Sequence, residues 1–367
     1  AKPNIYTFVK NWGQAPTFDE YRQMKRFDAL DGMRAIGVIL VIFELFGGSH
    51  FKILSGWLGV HIFFVMSGFL ITTLLLREQE KNGRVSLRSF YMRRCFRILP
   101  VYYLVLAITA IQTRALGGIE WQQLKHALPY YALFLNEQAF VVAPWKLTWT
   151  MGIEWKFYLV WPLILFLIPL SPKAMILPTI ATLVILSWLW DNPFVPAVHY
   201  IVLLLGAISA LLLHQPKTFN ILRCLMNPIA NNLLIVCVVV MQVYVINIPR
   251  IAGGYGGAQG VLLYGIVVAV FLPTLLGEGL INKILKSRPF VFVGQRSYSL
   301  YLIQTLSWQA VNGLDPKIHA SAAGAVLTCV IGIIFSDCLY RWVEIPMILI
   351  GKQLSIRWKE DNMAYKL

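Results

Sequence analysis

Charge is scarce in this chain. Only 13% of its 367 residues are Asp, Glu, Lys or Arg, against 58% apolar ones. A soluble domain could not hide that much apolar surface, so the soluble classes are excluded. Cysteine is sparse too. Cys95, Cys224, Cys237, Cys329 and Cys338 form no CxxC and no metal-ligand spacing with histidine. Two fall in expected cytoplasmic segments and three in apolar spans, so neither a disulfide framework nor a structural metal is indicated. The first 30 residues are polar and of mixed charge, which speaks against a cleavable signal peptide. Internal repeats and low-complexity tracts are missing.

What the chain does have is apolar segments that can each cross a hydrocarbon core of about 30 Å. They fall at 34–49, 57–76, 98–113, 153–170, 175–190, 198–213, 229–248, 257–277, 297–313 and 320–340. The expected fold is all-α: a polytopic membrane bundle of ten transmembrane helices. The net charge of +15 then has a membrane meaning. The basic residues sit between the spans, where they orient helices and meet anionic headgroups, and no basic stripe interleaved with aromatics points to nucleic acid.

Segment 127–142 is apolar but broken by Pro129, Asn136, Glu137 and Gln138. If it does not cross, loops on the N-terminal side carry 25 Lys/Arg and the opposite loops six. If it crosses, that asymmetry disappears. The positive-inside rule therefore predicts a re-entrant piece and two cytoplasmic termini. The domain expectation is a cytoplasmic segment 1–33, a membrane domain 34–345 and a cytoplasmic tail 346–367. The aromatics of the outer stretch 114–152, among them Trp121, Tyr130, Tyr131, Trp145 and Trp149, suit an interfacial belt or sugar stacking.

Several residues look chemical. Arg34 stands at the cytoplasmic start of the first span, and position 45 lies eleven residues on. That is about 20° off the same helix face and about 16 Å along the axis, so the pair marks edge and midplane of one stripe. A snorkelling anchor is the plain alternative for Arg34. Arg94 and Arg97, beside Arg93, are spaced i, i+3 and could grip a phosphate, or could be ordinary positive-inside charge. Glu154 enters the fourth span, where a carboxylate is costly unless paired or wetted; pairing with Lys156 is disfavoured because i and i+2 do not face each other. Glu44 near the midplane and His61 in the second span raise the same question, although a single histidine on an apolar helix is often structural.

Six segments, in order, resemble the acyltransferase 3 family of integral-membrane O-acyltransferases. LDGMRAIGVILVIF is similar to the family's LDGLRAIAVLLVVLFH, GWLGVHIFFVMSGFLIT to GWLGVDLFFVLSGFLIT, and FYMRRCFRILPVYY to FYLRRALRILPAYY. WTMGIEWKFYLVWPL resembles WSLSIEEQFYLLWPL, VGQRSYSLYLIQ resembles LGRISYSLYLIH, and YRWVEIPM resembles YRLVERPF. The resemblance implies acyl transfer from acetyl-CoA or another short acyl-CoA, without a metal, to a hydroxyl of an extracytoplasmic or lipid-linked glycan, in a bacterial cytoplasmic membrane. It implies an arginine–histidine pair starting at Arg34 and an RxxR donor motif at Arg94 and Arg97, with Arg93 and Arg34 as further phosphate partners. Glu154, Ser67 with Gly68 and Phe69, Trp149, Tyr298, Tyr301 and Glu344 fall on family positions.

The departures carry as much information. The family's histidine should stand at position 45, and this chain has Leu45, with Glu44 beside it. His50 lies about 160° round the helix and does not substitute. His61 replaces a frequent aspartate, and Gln304 a frequent histidine. Leucine cannot accept a proton. The expectation is therefore an inactive variant, a CoA- or glycan-binding pseudoenzyme or partner subunit, or chemistry that runs on Glu44 or His61.

Overall fold

The computed structural model describes residues 15–137, 145–167, 197–244, 257–315 and 320–364, with 174, 176, 178–182, 185 and 318. Among the described residues regular structure is helical throughout. In chain order the helices are α1 (Phe18–Gln23), α2 (Asp28–Phe46), α3 (Gly59–Asn82), α4 (Leu87–Leu116), α5 (Gly118–Ala132), α6 (Trp149–Leu167), α7 (Ala197–Leu213) and α8 (Pro216–Leu222). There follow α9 (Pro228–Tyr244), α10 (Gly257–Phe271), α11 (Leu280–Leu285), α12 (Arg288–Gln295), α13 (Ser297–Leu314), α14 (Ala322–Leu339) and α15 (Ile345–Ala364).

Four helical stretches among the described residues are long and apolar enough to cross a membrane: Gly56–Asn82, Leu87–Leu116, Ala258–Leu276 and Ala322–Trp358. Ala197–Leu213 with Pro216–Leu225, bent by 108°, makes a fifth if the pair is one broken span. Expected span 175–190 lies largely outside the described residues. Helix α2 occupies the place of the first expected span, yet Asp31, Arg34 and Glu44 make it too charged to count by composition. A helical membrane bundle stands; the number ten remains an expectation.

The chain forms two compact units. Unit one comprises residues 1–83 and 169–295. Its closest helix pair is α3 against α7. A Cβ on Gly68 would land on the carbonyl oxygen of Leu203, and one on Gly206 on that of Val65. Small residues at both positions let the two backbones touch, as helices do in lipid where apolar burial alone gives no preference. Helix α1 is started by a capping box, Thr17 with Glu20. Its Tyr21 is fully buried, stacked on Phe219 at 5.5 Å, and burial pushes the phenol up to about 12. Arg77 donates to the carbonyls of Tyr21 and Met24, each at 2.7 Å. The expected cytoplasmic segment 1–33 therefore holds, among its described residues, a docked helix.

Unit two comprises residues 84–168 and 296–367. Helix α4 ends at two consecutive positive-φ glycines, Gly117 (69°) and Gly118 (73°), which reverse the chain into α5. Helix α5 runs back along α4. Tyr102 donates to the carbonyl of Tyr131 and Tyr103 to that of Ala132, each at 2.8 Å. From Leu116 back to Tyr102 is about 21 Å of helix, and the fifteen residues of α5 retrace about the same length. The chain thus returns to the level of Tyr102 before turning, which is the re-entrant course expected for 127–142 as far as Glu137; residues 138–142 lie outside the described ones. At the turn Phe134 takes φ 56°, unusual for an aromatic residue. It is held there by stacking on Tyr102 (4.2 Å) and Trp155 (4.7 Å).

This course corrects the reading of the outer aromatics. Tyr131 and Trp145 are neither belt nor sugar platform but buried core, packed with Tyr102 and Val105. Over 346–364 the chain is helical, because helix continues from α14 into α15 through one wide π turn, Tyr340–Glu344. That turn leaves Trp342 76% exposed while Glu344 points inward at 1%. Wide turns of this kind recur at functional sites.

Candidate active site

Unit one holds five of the expected residues. Arg34 sits one turn from Asp31, its guanidinium 3.7 Å from the carboxylate. Glu44 is half-buried and accepts the backbone N–H of Trp57, just before α3. Leu45 is 41% exposed. His61 is fully enclosed, its Nε2 3.0 Å from Nδ1 of His199 at the start of α7. The Trp57 ring meets His61 edge-on at 5.6 Å, so one residue links Glu44 to the histidine pair. Ser67 is buried beside Gly68 in α3. His199 was not singled out from sequence, although an ionisable residue opening an apolar run was the available signal.

Unit two holds the others. The arginines stand on the first three turns of α4, as the i, i+3 spacing expected. They fan out instead of sharing one partner. Arg93 donates to the Ser355 hydroxyl at 3.2 Å, and Arg94 lies between the rings of Phe90 and Tyr158, 5.7 Å from each centroid. Arg97 Nε is 4.0 Å from the buried Glu344, whose other oxygen accepts from Ser299 at 3.1 Å.

Glu154 accepts from the Tyr158 hydroxyl at 2.7 Å, one turn along α6. Since Arg94 covers the Tyr158 ring, one side chain joins an arginine of α4 to Glu154. Lys156 pairs with Glu137, which settles the Glu154–Lys156 question against a pair. Tyr298 donates to the carbonyl of Ile98 at 2.8 Å, and Tyr301 donates to that of Leu147 while Thr150 donates to its hydroxyl at 3.0 Å. Both tyrosines lie within electrostatic reach of Glu154. Trp149 is partly exposed at the start of α6, and Gln304 is buried in α13. Sequence reasoning placed Tyr158 in its motif without a role.

Three guanidinium groups, two carboxylates and several phenols within one helical unit are costly at membrane depth unless mutually satisfied or used. They can hold a polyanion and accept a proton.

Such a helical membrane protein with an arginine- and carboxylate-bearing interior has known counterparts. The acyltransferase domain family, Acyl_transf_3, matches residues 27–341, and the chain belongs to that family. It is 28% identical over 358 residues to the peptidoglycan O-acetyltransferase OatA of Listeria monocytogenes, covering 88% of this chain and 56% of that protein. It is 29% identical over 379 residues to a Staphylococcus aureus protein named "Putative O-acetyltransferase SAR0937", covering 94% and 61%. The chain thus spans a little over half the length of these relatives. No solved structure matches it.

Proposed function

We propose that this chain moves a short acyl group, acetyl first among them, from cytoplasmic acyl-CoA to a hydroxyl of a cell-envelope glycan or its lipid-linked precursor. The membrane is the bacterial cytoplasmic membrane, with both termini inside. The observation that carries this reading is the set of arginines on α4, Arg93, Arg94 and Arg97, held in the same unit as Glu154 and Glu344 in a chain of the acyltransferase family. The arginines of α4 bind the CoA phosphates. The acceptor oxygen attacks the thioester carbonyl, the C–S bond breaks, and the departing thiolate takes up a proton.

Glu154 orients the acceptor hydroxyl. For the base, Leu45 offers nothing, and Glu44 is the adjacent carboxylate, oriented by the Trp57 N–H. Trp149, Tyr298 and Tyr301 shape the substrate path in unit two. Leu45 itself favours a second reading, a protein that binds acyl-CoA and does not turn it over.

Release of free CoA thiol from acetyl-CoA by the purified protein, with a lipid-linked glycan extract as acceptor, separates the two. Wild-type turnover that vanishes in Glu44→Gln, with CoA affinity retained, is the expected result. Turnover seen only in Leu45→His would establish the second reading.

A further inference from the structure

We propose that Tyr158 is a positioning residue that makes the readiness of Glu154 depend on whether the donor site is filled. The inference rests on the donor-binding role given above to Arg94. Two contacts meet on this one side chain. Its ring lies under the Arg94 guanidinium at 5.7 Å, and its hydroxyl donates to Glu154 at 2.7 Å. The level is clamped, because Tyr91 one turn before Arg94 donates to the carbonyl of Leu159 at 2.7 Å, tying α4 to α6 beside the contact. Tyr158 itself is buried.

The two contacts are chemically linked. A cation over an aromatic face draws electron density from the ring. A phenol drained in this way is a stronger hydrogen-bond donor, so in the empty site the Glu154 carboxylate is held by Tyr158. A CoA phosphate on Arg94 cancels much of that positive charge. The phenol then donates more weakly, and its hold on the carboxylate loosens. Tyr158 thereby restrains Glu154 until a CoA phosphate occupies the donor site. Phe90, on the other side of Arg94, supports the guanidinium equally well but has no hydroxyl to pass the signal on. A purely structural ring at position 158 would need no hydroxyl aimed at a carboxylate.

The coupling can be read without turnover, by infrared difference spectroscopy on adding CoA to the purified protein, with CoA affinity measured in parallel. The Glu154 carboxyl band is assigned by its loss in Glu154→Gln. In the wild type this band should move on CoA binding. In Tyr158→Phe, which keeps the ring, the movement should disappear and CoA should bind at least as tightly, because it no longer weakens a hydrogen bond. In Tyr158→Leu, which removes the ring, CoA affinity should fall severalfold. A wild-type band indifferent to bound CoA, or a movement that survives in Tyr158→Phe, overturns the proposal. Failure of the wild type to bind CoA would instead overturn the donor-site reading, and the coupling with it.

Discussion

His61 Nε2 lies 3.0 Å from His199 Nδ1, joining the first turns of α3 and α7 in unit one. A ring nitrogen pair at this distance needs one donor and one acceptor, so each histidine supplies what the other lacks. That contact answers one of the two ring nitrogens of a fully enclosed His61.

Removing one partner should therefore cost more than removing both. His199→Leu leaves a buried ring nitrogen unsatisfied and is expected to cost about 1–3 kcal/mol. The double change His61→Leu/His199→Leu should recover most of that loss in thermal unfolding and keep acyl transfer. Loss of transfer in a stable double variant would place the base in this histidine pair.

Phe134 tests whether aromatic stacking maintains the re-entrant turn. Phe134→Gly relieves a left-handed backbone worth about 1–2 kcal/mol but gives up a buried ring worth about 3–5. A net loss of about 1–4 kcal/mol is expected in detergent unfolding. A gain in stability would show that backbone strain outweighs the stack on Tyr102 and Trp155.

Gly68 and Gly206 should tolerate no side chain. Each faces a partner backbone carbonyl that cannot swing aside, so Gly68→Leu or Gly206→Leu must part α3 from α7. The expected outcome is loss of folded, monodisperse protein by size-exclusion chromatography, whereas Ser67→Ala beside them should remain folded. A folded Gly68→Leu protein would mean that these helices do not need close approach.

Docking of α1 should weaken in acid. The Glu20 carboxyl is held below its ordinary value by the hydrogen bond from the Thr17 backbone N–H. A lowered value means that this contribution is present above about pH 4.3, the ordinary glutamate value, and is lost as pH falls through the lower one. Amide exchange across Phe18–Gln23 should speed up over that window, and Glu20→Gln should flatten the change. An identical acid response in Glu20→Gln would place the sensitivity elsewhere in unit one.

Much of this was legible because it is local. RxxR spacing puts its arginines on one helix face, and the Lys/Arg asymmetry of the loops already argued that 127–142 does not cross. Other features were hidden because they depend on residues far apart. Nothing near Tyr131 or Trp145 says that they face Tyr102 rather than lipid. Nothing near Glu154 says that the ring of Tyr158 meets Arg94 of α4, and YRWVE does not announce a wide turn.

The sequence by itself determined that this is a helical membrane protein of the acyltransferase family, since apolar length and short ordered motifs are properties of neighbouring residues. It also determined that position 45 lacks a proton acceptor. Only the tertiary structure decided that His61 is answered by His199, that Lys156 belongs to Glu137, and that Tyr158 stands between Arg94 and Glu154. Hydrogen bonds and ring contacts act over a few ångströms, and which distant residues come within that range is settled by how helices pack.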